Sequence, residues 1–342
     1  MGKTSPRISV VLPFRDAADT LQEAVDSMLG QGEGDFELLA IDDGSSDSSP
    51  VIMQDLAAQD ARIQFLATDG KGIVNALNLG LEKAKAPCIG RMDADDLSHP
   101  DRLSRQLEFL DGHPEVGLVA SRVEHWTPDG VPRPGYAAYV EWTNGLLLPE
   151  DLALSRFVES PLAHPSVVFR KELVESLGGY GEGVFPEDYE LWLRWMESGV
   201  RMQKLPEALL KWRDHGERLS RLDPRYSPDA FYRMKLGYLH RWLERHNPFY
   251  PVVKVWGAGR KTRRRVRFLE EAGSRVASFY DVDPRKTGEP REGLSVRPIE
   301  EIPPPGQEFI VVMVGVRGAR QKVAAFLGER GYREGVDFIL AA

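Results

Sequence analysis

The strongest constraint on this chain is a regular exchange of short apolar runs and helical stripes near its start, with aspartate gathered where the runs end. Ile8-Ser9-Val10-Val11-Leu12 closes at Pro13 and fits a buried strand. Ala17, Leu21, Val25 and Met28 then recur at helical spacing. A second strand over 36–41 runs into the turn Asp42-Asp43-Gly44-Ser45-Ser46-Asp47, which opens a helix capped by Ser46 or Asp47. Strands over 62–66 and 87–92 follow, with a helix over 73–85 between them. Such alternation predicts a mostly parallel sheet covered on both faces. Ligands of open sheets sit at the carboxyl ends of the strands, so loops 13–16, 42–47 and 93–96 should meet at one edge.

Beyond residue 100 the pattern loosens. A helix over 101–111 and a strand over 116–120 are legible, and 188–196 is helical with Tyr189, Trp192 and Met196 on one stripe. Residues 126–149 are rich in proline and glycine with little period, and read as long substrate-facing loops. A helix over 229–245 ends at His246-Asn247-Pro248-Phe249-Tyr250-Pro251. The charge changes there: residues 252–342 hold 17 Lys and Arg against 12 Asp and Glu, whereas the preceding part holds 27 against 40. The boundary divides a domain over 1–250, itself split near residue 98, from one over 251–342.

With 42% hydrophobic and 28% charged residues, the chain is globular rather than disordered. A lone Cys88, expected to be an inert small hydrophobe, excludes a disulfide framework and a zinc site of several thiolates. No apolar run approaches a membrane span; the longest, 309–316, has strand length. Met1–Pro6 lacks the apolar core of a leader peptide, and Pro6 spoils a myristoylation match. A cytoplasmic location is therefore expected.

The sharpest chemical feature is Arg91-Met92-Asp93-Ala94-Asp95-Asp96 at the end of the fourth strand. Three carboxylates this close repel one another unless a cation or hydrogen-bond donors hold them. A hard ion such as Mg²⁺ or Mn²⁺ prefers carboxylates together with phosphate oxygens. The plainer alternative is a solvated turn in which Asp96 or Ser98 caps the next helix.

Together the segments 8–13, 41–47 and 91–96 occur in the order and spacing of family 2 glycosyltransferases. Gly72-Ile73-Val74-Asn75-Ala76-Leu77-Asn78, Ser98-His99-Pro100-Asp101-Arg102-Leu103 and His164-Pro165-Ser166-Val167-Val168-Phe169-Arg170, with Gly178-Gly179-Tyr180, also resemble that family. The resemblance covers about residues 6–222. It implies an α/β GT-A fold with a mixed, mostly parallel sheet, a UDP-, GDP- or dTDP-sugar donor, a glycan or lipid-linked acceptor in surface polysaccharide synthesis, and inversion at the anomeric carbon. It also implies roles for residues. Asp43 would accept a hydrogen bond from the donor's base, and Pro13, Phe14 and Arg15 would line the nucleoside pocket. Asp95 is the first choice as metal ligand in this DXD-type motif, with Asp93 on ribose or metal and Asp96 a second ligand. Lys71 and Arg91 are candidates to neutralise the diphosphate, against the alternative of a solvated lysine and a packed arginine. Asp188, beside Glu187 at a helix start, matches the family's base; the alternative is that both only cap the helix. His164 would lie on the acceptor side, and His215 in a segment over the diphosphate. Trp192 and Trp195 read as core rather than as a sugar platform.

The last part reads as a small Rossmann-like α/β domain. Val252–Trp256 runs into Gly257-Ala258-Gly259, and Asp281 stands 22 positions beyond Gly259, but Thr262 replaces the third glycine of a dinucleotide fingerprint. Arg260, Lys261, Arg263, Arg264, Arg265 and Arg267 form a basic run, either a solvated face or a site for phosphate, a lipid-linked acceptor or the inner face of the membrane. Nucleic acid is not expected, given the net charge of −8. Two other functions stand as alternatives. A sugar nucleotidyltransferase needs a glycine-rich loop where Pro13-Phe14-Arg15-Asp16 stands, and a non-catalytic nucleotide-binding scaffold would not need Glu187 and Asp188.

Overall fold

The computed structural model describes residues 5–342 apart from 132, 217, 289, 291, 292 and 317, and apart from the side chain of Leu222. The leader and myristoylation readings on Met1–Thr4, and a helix start expected at Arg317, lie outside the described residues. The first elements are β1 (Ile8–Phe14), α1 (Leu21–Leu29), β2 (Phe36–Asp42), α2 (Ser49–Gln59), β3 (Ile63–Ala67), α3 (Ile73–Lys83) and β4 (Cys88–Arg91). Next come β5 (Leu97–Ser98), α4 (Arg102–Gly112), β6 (Val116–Trp126), α5 (Pro134–Asn144), α6 (Pro149–Ser155), β7 (Val168–Arg170), α7 (Lys171–Leu177), α8 (Glu187–Glu197), β8 (Arg201–Arg213) and α9 (Leu219–Leu222). The chain ends with α10 (Pro228–His246), β9 (Val252–Trp256), α11 (Arg260–Glu271), β10 (Arg275–Asp281), β11 (Val296–Pro298), β12 (Ile310–Val312), α12 (Ala319–Glu329) and β13 (Phe338–Leu340). These elements form two compact units: Met1–Leu152 with Pro161–Gly183 and Glu187–Leu222, and Ala153–Ser160 with Val184–Pro186 and Asp223–Ala342.

The first unit holds a mixed sheet in the order β3-β2-β1-β4-β7-β6-β8-β5. β1 pairs in parallel with β2 and β4, and β2 with β3. β7 runs antiparallel to β4 and β6, and β8 is parallel to β6 but antiparallel to β5. Every residue of β1 is buried, because successive side chains enter layers on opposite faces. Val10 and Leu12 pack with Leu21, Val25 and Met28, while Val11 packs with Val74, Leu77 and Leu81. Each such side chain contributes about 1.5–3 kcal/mol when fully buried. Gly80 lets α3 approach β1 closely; a Cβ there would lie 2.5 Å from Val11 Cγ1.

Two expectations change. Residues 126–149 are not long loops, since α5 and the start of α6 lie among them and Pro134 occupies the first helical turn, where its missing N–H costs nothing. The helix after Asp47 is preceded by Ser48 with no side-chain cap; Asp47 instead accepts hydrogen bonds from Ser49 N (2.9 Å) and Ala18 N (3.0 Å). β8 was hidden by Pro206. The pairing steps from Ser121↔Leu205 to Arg122↔Ala208, a bulge that takes the proline out of the ladder.

The second unit contains a parallel sheet in the order β11-β10-β9-β12-β13. Trp256, Tyr280, Ile310, Val312, Leu327 and Phe338 share its core. After β9 the chain turns at Gly257 (φ +113°), a left-handed conformation that suits glycine. Asp281 is occupied within the unit: Oδ2 accepts Ala258 N at 2.8 Å, and Lys286 Nζ pairs at 3.1 Å. Thr262 donates to Met313 O at 2.9 Å. Val266, Phe268 and Leu269 form the buried stripe of α11. Arg263 donates to Ala258 O, Arg264 pairs with Asp229 at 2.8 Å, and Arg265 lies 3.9 Å over the Tyr232 ring. Arg260 and Lys261 are exposed.

Candidate active site

The carboxyl ends of β1 and β2 are stitched together by their own loops. Asp16, at φ 48°, accepts Ser46 N at 2.7 Å and Ser46 Oγ at 3.0 Å, and its own N–H donates to Ser45 Oγ. These bonds, the backbone N–H first, hold its carboxyl below the usual range. Asp42 Oδ1 accepts Ser45 N at 3.0 Å. Asp43 is buried; its Oδ1 accepts Thr68 Oγ1 at 2.8 Å and Gly72 N at 3.1 Å, while Oδ2 has no hydrogen-bond partner among the described residues. Gly44 is required here, since a Cβ on it would stand 3.0 Å from Gly70 Cα. Pro13 and Phe14 end β1 beside Ile41 and Asp42. Arg15 is exposed and pairs loosely with Asp16, and Lys71 is exposed with Asp69 as its partner at 3.4 Å.

Asp93, Asp95 and Asp96 come together after β4, with one carboxylate oxygen from each within 4.8 Å of the others. Arg91, buried behind them, donates to Asp93 Oδ1. Asp95 Oδ2 meets His215 Nε2 at 2.8 Å. Burial opposes ionisation of Asp95, but His215 and Arg218 hold its pKa below the usual value. Asp96 is fully buried, and its Oδ1 accepts Arg213 N at 2.8 Å, whereas Oδ2 is buried without a partner among the described residues. Burial first, then the charges of Asp95 and Asp93, push its carboxyl well above the usual range. An orphaned oxygen in a group of three carboxylates is the arrangement a hard divalent cation satisfies, so the donor set fits Mg²⁺ or Mn²⁺.

The far wall of this cluster comes from the segment after β8. Arg213 Nε donates to Asp95 O at 2.5 Å, and its guanidinium lies 4.3 Å over Trp126. Arg218 stacks on Trp212 (4.9 Å) and Tyr136 (5.1 Å). Burial works against its charge, yet Tyr136, Asp96, Asp95 and Asp93 together raise its pKa. Asp214 fixes the segment: its carboxylate meets His125 Nε2 at 3.1 Å and Arg221 Nη2 at 2.6 Å, and its carbonyl accepts Arg133 Nη1 at 2.9 Å.

Glu187 and Asp188 begin α8. Asp188 Oδ1 accepts Tyr189 N at 2.7 Å. Burial first, then the Glu187 charge, pushes its pKa up to about 7; Arg91 and Asp93 lie within electrostatic reach. His164 is buried with Nε2 2.7 Å from Tyr180 Oη, and burial holds it neutral, aided by Arg91. Asn78 clamps Tyr180 by both backbone groups, at 2.9 and 3.0 Å. Trp192 and Trp195 are wholly buried, and Cys88 is a buried free thiol whose pKa burial raises.

The fold thus gathers Asp93, Asp95, Asp96, Arg91 and His215, and brings Asp188 into their field. Lys71 and Arg15 remain solvated. Sequence reasoning did not find Arg213, Arg218, Asp214 or Tyr136. Their only sequence signal was proximity of three of them to His215, since pairing across about eighty residues or more leaves no local period.

A model of the family described as glycosyl transferase family 2 matches residues 9–178. Among curated proteins, the EpsE glycosyltransferase of Bacillus subtilis is 30% identical over 231 residues, covering 66% of this chain and 80% of that one. The UDP-Gal:alpha-D-GlcNAc-diphosphoundecaprenol beta-1,3-galactosyltransferase of Escherichia coli is 26% identical over 62% of this chain and 76% of its own. Among solved structures, S. aureus TarS 1–349 in complex with UDP-GlcNAc superposes with TM-score 0.52 at 15% identity, covering 78% of this chain and 71% of that one. The mannosyltransferase PcManGT of Pyrobaculum calidifontis, in complex with GDP-Man and Mn²⁺, gives TM-score 0.50 at 21% identity, over 71% and 65% of the two chains.

Proposed function

The chain belongs to glycosyltransferase family 2, and from that premise we propose that it is a metal-dependent, inverting enzyme that moves a sugar from a UDP-, GDP- or dTDP-sugar to a glycan or lipid-linked acceptor. The observation that carries this reading is the group of three aspartates whose carboxylate oxygens lie within 4.8 Å, with Asp96 Oδ2 lacking a donor. Asp95, Asp93 and Asp96 would hold Mg²⁺ or Mn²⁺, which as a Lewis acid compensates the charge that grows on the departing diphosphate. His215 orients the Asp95 carboxylate, and Arg218 and Arg91 keep net negative charge from accumulating at the site. Asp43 Oδ2 is the free acceptor for the donor's base.

Asp188 takes the proton from the attacking acceptor hydroxyl, on the side of the sugar away from the leaving group. A carboxyl near pH 7 is matched to this work, strong enough as a base yet largely ionised just above neutrality. Glu187 raises it by like charge. Arg260 and Lys261 of the second unit, both exposed, would meet anionic groups of a lipid-linked acceptor or of the inner membrane face. The test is to offer UDP-, GDP- and dTDP-sugars with Mn²⁺ and an acceptor panel, and to read the product anomer by NMR. A product of inverted configuration from one donor class is expected; a retained configuration would remove Asp188 from its role.

A further inference from the structure

The basic run of α11 does not all face solvent. Arg265 turns inward: its guanidinium lies 3.9 Å over the Tyr232 ring of α10, and Nη1 stands 3.7 Å from where a Cβ on Gly315 would be. The same ring carries a second cation. Lys235 Nζ lies 4.1 Å from its centroid and 5.0 Å from that of Phe231, and donates to Val158 O at 3.0 Å. Arg320, in the first turn of α12, and Glu159, in the loop after α6, complete the group, each within electrostatic reach of Tyr232 and Lys235. All of these residues belong to the second unit. Lys235 is wholly buried, whereas Glu159, Arg265 and Arg320 are half-buried.

These charges do not cancel. Three cations share the field of one carboxylate, and Glu159 makes no ion pair among the described residues; its Oε1 accepts the Ser160 N–H at 3.4 Å. Arg265 likewise has neither a hydrogen bond nor an ion pair among the described residues, so a ring fixes its guanidinium while its donors stay unused. Burial pushes the Lys235 ammonium down to about 7; Glu159 opposes the fall and the two arginines add to it. Like charges gathered in a recess are costly unless an anion joins them. A phosphate dianion matches the excess of positive charge, and its oxygens fit the guanidinium fork. The topology points to the same place. β9 lies between β10 and β12, so the chain leaves it to one side and returns on the other. Ligands of open parallel sheets sit at the carboxyl ends of the strands at such a switch point, and Gly315, which Arg265 approaches, follows β12 there.

We propose that the second unit binds a phosphate-bearing small molecule at the carboxyl ends of β9 and β12, with Arg265 and Arg320 on the phosphate oxygens and Lys235 adding charge behind them. No residue of the donor site takes part, so the phosphate site does not rest on the glycosyltransferase reading.

The test is titration calorimetry of the full chain, with chelator present, against inorganic phosphate, glucose 6-phosphate and AMP, with glucose and adenosine as uncharged controls. Wild type should bind at least one of the three phosphates and neither control. Arg265→Gln should weaken that binding about tenfold or more, as expected for lost charge-assisted hydrogen bonds. Glu159→Gln should tighten it several-fold, because the one negative charge among the cations is gone, and a damaged fold would not produce a gain. An ester bound more tightly than inorganic phosphate identifies a phosphomonoester as the ligand; inorganic phosphate bound as tightly as either ester identifies the free anion. Mn²⁺–nucleotide diphosphate binding on the same samples should be the same in wild type and both variants. Wild type that binds none of the three phosphates, affinity unchanged in Arg265→Gln, or affinity not raised in Glu159→Gln would overturn the phosphate site.

Discussion

Asp188→Asn should make the protein more stable and far less active, and the gain in stability should grow with pH. The side chain of asparagine still accepts the Tyr189 N–H, so the local bond at 2.7 Å survives. What disappears is the cost of ionising a carboxyl whose pKa burial and Glu187 raise from 3.8 to about 7. The direction is opposite to that of an ordinary paired aspartate. Between those two values the unfolded chain has lost the proton and the folded one has kept it, so wild-type stability falls as pH rises. At 1.36 kcal/mol per pKa unit the penalty approaches about 4 kcal/mol above pH 7, and roughly 1–2 kcal/mol of it should survive solvent screening of a half-buried group. Chemical denaturation of metal-free protein at pH 5 and pH 8 reads the difference. Asp188→Asn should exceed wild type by a larger margin at pH 8, while transfer drops ~10²–10⁴-fold with donor binding retained. Wild-type turnover should rise with pH around a midpoint near 7. A variant less stable than wild type at pH 8 would show that Asp188 caps α8, and near-normal turnover would move the base to Glu187.

Asp96→Asn should stabilise the metal-free protein at pH 8, because it removes a carboxyl whose ionisation burial and the Asp95 and Asp93 charges oppose, while keeping the oxygen that accepts Arg213 N; Mn²⁺ affinity measured by titration should fall at the same time. Gly80→Ala should cost about 1–3 kcal/mol in denaturant unfolding, since its Cβ would overlap Val11 at 2.5 Å and force α3 off the sheet.

The edge of the sheet was legible because strand–helix alternation places successive strand ends together. Asp42–Asp43 and Asp93–Asp96 could therefore be assigned to one site from spacing alone, and the structure gathers the second group within 4.8 Å. What was not legible depends on long-range pairing. α5 escaped because Pro134 and Gly135 open it and its inward residues, Val140 and Thr143, are too few to show a period. β8 escaped because Pro206 interrupts its alternation, and only the two-residue bulge opposite Ser121 and Arg122 reconciles a proline with an inner strand. With β8 hidden, the placement of Arg213 against Asp95 and Asp96 had no sequence signature, nor did that of Arg218. His164 shows the converse limit: its motif was visible, but its burial against Tyr180 and its neutrality depend on Arg91 and the surrounding core.

The most direct test of the central claim is calorimetric titration of wild type and Asp95→Ala with UDP, GDP and dTDP, each with Mn²⁺ and with excess chelator. Wild type should bind one nucleotide diphosphate with an affinity that collapses on chelation, and Asp95→Ala should show only the weak, chelator-insensitive remainder. Binding that survives the chelator unchanged, or metal-dependent binding that Asp95→Ala retains in full, would contradict a metal held by these aspartates.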